Sequence, residues 1–148
     1  MVPSGWVLRG FGEKPEFSTL LTREGCSTEP RCALLEGRTA SDSYGTLMQT
    51  FYARPFRGRR VRLRASVRTQ MEGAARAGLW LRSDRKDRVG FVDHMRDRPI
   101  TVDRWQDYEI VGDVSPDAET ISLGLWLMGR GRAWIDSLKF EPIAAPKP

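Results

Sequence analysis

With 148 residues, 40% of them hydrophobic and 29% charged, the chain has the composition of one folded domain, which excludes a disordered or fibrous protein. No apolar run approaches the ~18 residues that a spanning helix needs, so a helical membrane protein is excluded too. The net charge of +5 comes mainly from arginine spread along the chain, without the basic tail of a charge-driven nucleic-acid binder.

The N-terminal stretch MVPSGWVLRG lacks the basic and apolar regions of a secretory leader, and on that reading the protein is cytoplasmic. Strands are predicted at Gly5–Gly10 and Phe17–Thr22, separated by a loop at 11–16. The loop at 23–31 carries Cys26, and Cys32 closes the run GCSTEPRC. No histidine or second cysteine pair stands at zinc-ligand spacing. A disulfide would need the loop to fold back, and two reduced thiols are the expectation for a cytoplasmic chain.

Strands follow at Ala33–Glu36 and Gly45–Ala53. After an Arg57-Gly58 turn, Val61, Leu63, Ala65 and Val67 alternate with Arg62, Arg64, Ser66 and Arg68. That period of two puts an aliphatic row on one side and a wet row on the other. The same alternation sets Ala77, Leu79 and Leu81 against Gly78, Trp80 and Arg82. A charged loop, Asp84–Arg88, precedes a short apolar run at Val89–Val92 and a long loop at 94–105. The next strand is Tyr108–Val114, stopped by Ser115-Pro116-Asp117. In the following one, Ile121, Leu123, Leu125 and Leu127 alternate with Ser122, Gly124, Trp126 and Met128. Gly129-Arg130-Gly131 reads as the turn of a hairpin into a last strand at Arg132–Pro142. The tail Ala144–Pro148 is Pro-rich and expected to fray. Short strands punctuated by Gly, Pro, Asp and Ser predict an all-β fold, a two-sheet antiparallel sandwich of the jelly-roll kind over residues 1–143.

Four stretches resemble a known family: Tyr44–Thr69, Ala77–Asp84 (AGLWLRSD), Phe91–Val114 and Gly129–Ile143 (GRGRAWIDSLKFEPI). They are similar to bacterial jelly-roll domains of the galactose-binding-like and carbohydrate-binding-module-like type, often labelled as transcriptional regulators. The resemblance implies the fold and a binding or sensing role. The chain has no room for a helix-turn-helix, so the expectation excludes a complete DNA-reading regulator of that type.

Three constellations could carry chemistry. If the aliphatic rows face inward, Arg64, Arg68, Trp80, Arg82 and Trp126 point outward. Flat indoles and forked guanidinium donors then make a groove for a sugar-like or cyclic ligand. The second constellation is Asp93-His94, with the chain's one histidine. It would serve as an acid–base pair if the protein were a cyclase, lyase or isomerase with a Trp-lined cavity. Strand neighbours point opposite ways, and Asp93 with Arg98 reads better as a structural ion pair. Third, Asp103, Asp107, Asp136 and Glu141 are carboxylates that a structural calcium could use, although their spacing matches no calcium loop. No cofactor is expected, and there is no Gly-rich phosphate loop or GxSxG elbow. The expected partner is a small molecule, with nucleic acid and membrane disfavoured and self-association through an exposed sheet left open.

Overall fold

In the computed structural model, residues 6–11, 16–27, 31–38 and 43–144 are described. The strand start expected at Gly5, residues 12–15 and 28–30 of two expected loops, and the tail from 145 onward lie outside them. The described strands are β1 (Val7–Phe11), β2 (Phe17–Thr22), β3 (Cys32–Gly37), β4 (Tyr44–Tyr52), β5 (Arg60–Met71), β6 (Arg76–Asp84), β7 (Val89–Asp93), β8 (Gln106–Asp113), β9 (Thr120–Met128) and β10 (Gly131–Ile143). One turn of 3-10 helix, Arg54–Phe56, links β4 to β5.

The strands form two antiparallel five-stranded sheets. The first has the order β1-β4-β9-β6-β7 and the second β2-β3-β10-β5-β8. Only β2–β3 and β6–β7 are sequence neighbours that also pair. The other connections pass between sheets, as a jelly roll requires. The expected hairpin at Gly129–Gly131 is therefore corrected. β9 pairs with β4 and β6, β10 pairs with β3 and β5, and the glycine turn carries the chain across the sandwich. Gly129 sits at φ +91°, a conformation that L side chains rarely adopt.

The alternation explains the core. Val61, Leu63, Ala65 and Val67 of β5 face Ala77, Leu79 and Leu81 of β6 and Ile121, Leu123, Leu125 and Leu127 of β9, all at most 2% exposed. Burying each large aliphatic side chain contributes about 1.5–3 kcal/mol. With the core on one side of each sheet, the residues between these positions must stand on the outer faces.

Cys26 and Cys32 form a disulfide, with Cα atoms 5.7 Å apart. This overturns the expectation of reduced thiols. The reason is register: β2 pairs antiparallel with β3 as far as Thr22↔Cys32, which sets Cys32 beside the end of β2, within reach of Cys26. Disulfides persist chiefly in oxidising compartments, so the pairing runs against the cytoplasmic location from which reduced thiols were expected. Among the described residues no helix is long and apolar enough to cross a membrane.

Alkylation of the denatured protein without reductant should leave both cysteines unmodified by intact mass, and two adducts would refute the bond. The double variant Cys26→Ser/Cys32→Ser should lose about 2 kcal/mol in urea unfolding, the loop-closure contribution of so short a ring.

Candidate functional site

The outer face of the first sheet is organised by two tryptophans and two glycines. Antiparallel pairing of β6 with β9 sets Gly78 opposite Trp126 and Trp80 opposite Gly124. Each indole lies across the glycine of the neighbouring strand. A Cβ on Gly78 would come within 2.7 Å of the Trp126 ring, and one on Gly124 within 2.8 Å of Trp80 Nε1. Both rings are thus pressed against the sheet, Trp80 at 8% and Trp126 at 6% exposure.

Both indole N–H groups are satisfied within the protein. Trp80 Nε1 donates to Thr46 Oγ1 (2.8 Å), and Thr46 Oγ1 donates onward to the Leu125 carbonyl (3.1 Å). Trp126 Nε1 donates to the His94 carbonyl (2.6 Å). What the indoles present outward is ring carbon. They floor a cleft of about 360 Å³ on this face. One wall is Phe11 of β1 stacked on Tyr44 of β4, with centroids 4.9 Å apart. The opposite wall is His94 and Arg96, from the segment after β7.

That segment is held by Asp93. Its Oδ1 accepts the Met95 N–H (2.9 Å), and its Oδ2 is ion-paired with Arg98. The Arg98 N–H also donates to the Met95 carbonyl (3.1 Å). Met95 takes a left-handed backbone (φ 56°) and buries its side chain in the core at 3% exposure. A non-glycine residue there needs surrounding contacts to hold it, and the Asp93 hydrogen bonds supply them. Two backbone hydrogen bonds between Ile100 and Ala77 anchor the far end of the segment. His94 then lies 6.3 Å from Trp80, nearly parallel to it.

Asp93 and His94 consequently have different surroundings. The carboxylate is occupied by Arg98 and the Met95 amide, while the imidazole lines the cleft. Burial opposes the Asp93 charge, but those partners hold its carboxyl below the usual range. Burial, with the nearby Arg96 and Arg82 charges, pushes the His94 imidazole below its ordinary value, against the pull of Asp93.

The five expected groove residues do not share one face. Trp80, Arg82 and Trp126 line the cleft. Arg64 and Arg68 belong to β5 and stand on the outer face of the other sheet. There Arg64 pairs with Asp107 (2.9 Å) and Arg68 with Asp103 (2.7 Å), and the Arg68 guanidinium lies 5.2 Å over Trp134. Alternation tells inside from outside but not which sheet a strand joins, and that is why the two sets merged. The calcium carboxylates separate as well. Asp103, Asp107 and Glu141 are committed to β5 arginines, while Asp136 is buried at the bulge of β10, where its Oδ1 accepts the Ser137 N–H (2.7 Å). No group of three or more ligating side chains suited to a metal occurs among the described residues, so this set does not fit calcium.

Sequence reasoning missed Arg9, Phe11, Tyr44, Arg76 and Arg96, all of which line the cleft. One signal was available: the tripeptide Gly-Leu-Trp occurs at 78–80 and again at 124–126. Antiparallel pairing of two such tripeptides puts each Trp against the other's Gly.

No protein-family model matches the chain. It is 35% identical over 144 residues to an uncharacterized HTH-type transcriptional regulator of Bacillus subtilis, YbfP, covering 94% of this chain and 48% of the regulator. The chain thus spans about half the length of that curated relative. Among solved structures it is similar to the enzymatically active domain of bacteriophage CBA120 tailspike protein 4, at TM-score 0.72, 16% identity, 95% of this chain and 20% of that one. It is also similar to the C-terminal family 22 carbohydrate-binding module of Clostridium thermocellum Xyn10B (TM-score 0.66, 11% identity, 95% and 86% covered). A third is TmCBM61, solved in complex with β-1,4-galactotriose (0.63, 11%, 96% and 91%). At these identities the likeness is one of fold: a β-sandwich of the carbohydrate-binding-module type.

Gly124→Ala should destabilise the domain by about 3 kcal/mol, at the upper end of overpacking costs, because the new methyl also meets the Leu47 carbonyl at 2.3 Å. The atoms nearest a Gly78→Ala methyl all belong to the Trp126 side chain, and this substitution should cost about 1–2 kcal/mol. Equal, near-zero losses in urea unfolding would contradict the packing described.

The lowered His94 value fixes a sign for pH. Its contribution is complete above the unfolded pKa of about 6.5 and is lost as pH falls toward the folded value. Between pH 7.5 and 5, the urea midpoint of the parent protein should therefore drop more than that of His94→Gln. Parallel curves would show that His94 does not contribute.

Proposed function

We propose that this domain binds a small sugar-like or cyclic metabolite in the cleft of the first sheet and acts as a sensor or accessory module. The observation that carries the reading is the cleft itself. Its floor is two indoles with their polar atoms already satisfied, and its walls are an aromatic stack and a histidine. Such a surface offers ring faces and C–H contacts, with polar groups at the rim to set orientation.

Two likenesses support the role. Solved sandwiches of this type include a family 22 module with a cleft for ligand binding and TmCBM61 in complex with β-1,4-galactotriose. The relative of Bacillus subtilis carries a regulator's name, and a ligand-sensing unit is what this part of such a protein would supply. The reading as a cyclase, lyase or isomerase has less support, because Asp93 is engaged by Arg98 and leaves His94 without a carboxylate partner in the cleft.

The test is an amide and indole NMR titration with a panel of oligosaccharides and cyclic metabolites. Perturbations should gather on Tyr44, Trp80, His94 and Trp126, and Tyr44→Ala should weaken binding at least ~10-fold, the loss of one aromatic contact of about 1.4 kcal/mol. Perturbations centred on Arg64 and Arg68 would move the site to the other sheet and sink the proposal.

A further inference from the structure

We propose that the ligand of this cleft is an anion: a small ring compound carrying a carboxylate or a phosphate. This rests on the binding role proposed above and adds the charge of the ligand.

The inference comes from how the two outer faces treat arginine. On the second sheet every arginine of β5 has a carboxylate partner: Arg60 with Asp113, Arg62 with Glu141, Arg64 with Asp107 and Arg68 with Asp103, at 2.7–2.9 Å. On the first sheet Arg82 pairs with Asp84 (2.9 Å), but Arg9, Arg76 and Arg96 have no ion pair with any described residue. These three line the cleft, and among the described residues no Asp or Glu does. They also arrive from different directions. Arg9 comes from β1, Arg76 from the start of β6 three strands away, and Arg96 from the segment beyond β7.

Uncompensated guanidiniums around a partly enclosed apolar floor repel one another. A recess of one sign with low-dielectric walls also concentrates the field that draws in a counter-ion. Guanidinium has the fork geometry that matches carboxylate and phosphate oxygens, and it does not lose its charge at any working pH. The aromatic floor and the Phe11–Tyr44 wall call for a ring, and the arginine rim calls for the charge. Both fit one molecule within about 360 Å³.

The test uses matched probes on the whole chain: glucose, glucuronate and glucose 6-phosphate, with inorganic phosphate as the bare anion, followed by NMR at constant ionic strength. The charged sugars should perturb Trp80, His94 and the Arg76 and Arg96 side chains at concentrations at least tenfold below glucose. The stronger of the two identifies carboxylate or phosphate as the preferred group. Arg76→Gln and Arg96→Gln should each weaken the charged probe at least fivefold, with Arg64→Gln unchanged. Thermal melts check that the variants remain folded.

If glucose binds in the cleft as well as its charged counterparts, the anion inference fails while the binding role stands. If inorganic phosphate perturbs both outer faces alike, the charge is generic and the inference fails. If no probe, including phosphate at tens of millimolar, perturbs the cleft, the anion inference is overturned; the binding role is then decided separately by the uncharged panel.

Discussion

Two rings lying on two glycines hold the cleft face of this domain together. An indole on a sheet surface needs somewhere to lie, and the strand next to it supplies a side chain at every second position. Removing the Cβ at Gly78 and Gly124 opens two slots that point in opposite directions, and Trp80 and Trp126 fill them. The filled slots define the rest of the site. One indole N–H ties β6 to Thr46 on β4, and the other ties β9 to the segment carrying His94 and Arg96. The cleft floor is therefore also the clamp that joins its two walls.

The two outer faces show how one strand pattern yields two electrostatic outcomes. β5 and β6 both alternate inward aliphatic residues with an outward set. On the β5 side, neighbouring strands bring acids into register and the arginines form a solvated ladder. Such exposed pairs contribute little stability each, about 0–1 kcal/mol, but they give every β5 arginine a counter-charge. On the β6 side the register brings glycine and tryptophan instead, and Arg9, Arg76 and Arg96 at the rim have no carboxylate partner among the described residues.

What the sequence made legible follows from physics that acts locally. The period of two in Val61–Arg68, Ala77–Arg82 and Ile121–Met128 separated core-facing from outward-facing side chains, but it did not tell that Trp80 and Trp126, on the outward side, would be pressed down and buried. Turn residues located most strand ends. Partner choice was not legible. Nothing in Arg64 or Arg82 records which sheet its strand joins, and Gly129–Gly131 looks the same whether it closes a hairpin or crosses the sandwich. The cleft residues Phe11, Tyr44 and Arg76 became neighbours only through that long-range pairing. The disulfide was hidden for a related reason: Cys26 and Cys32 meet because β2 and β3 pair in one particular register.

The segment after β7 is a turn, in which Met95 takes a left-handed backbone and the Arg98 amide closes back on the Met95 carbonyl. Asp93 and Met95 turn toward the protein, and His94 and Arg96 turn toward the cleft. This arrangement constrains how the segment can change over evolutionary time. Substituting His94 or Arg96 changes the lining of the cleft and leaves Met95 seated in the core. Deleting or inserting a single residue would break the Asp93 hydrogen bond to Met95 and the left-handed turn that it holds. Changes of the cleft lining should therefore arise here by point substitution, with Met95 as the fixed peg that holds the length of the segment.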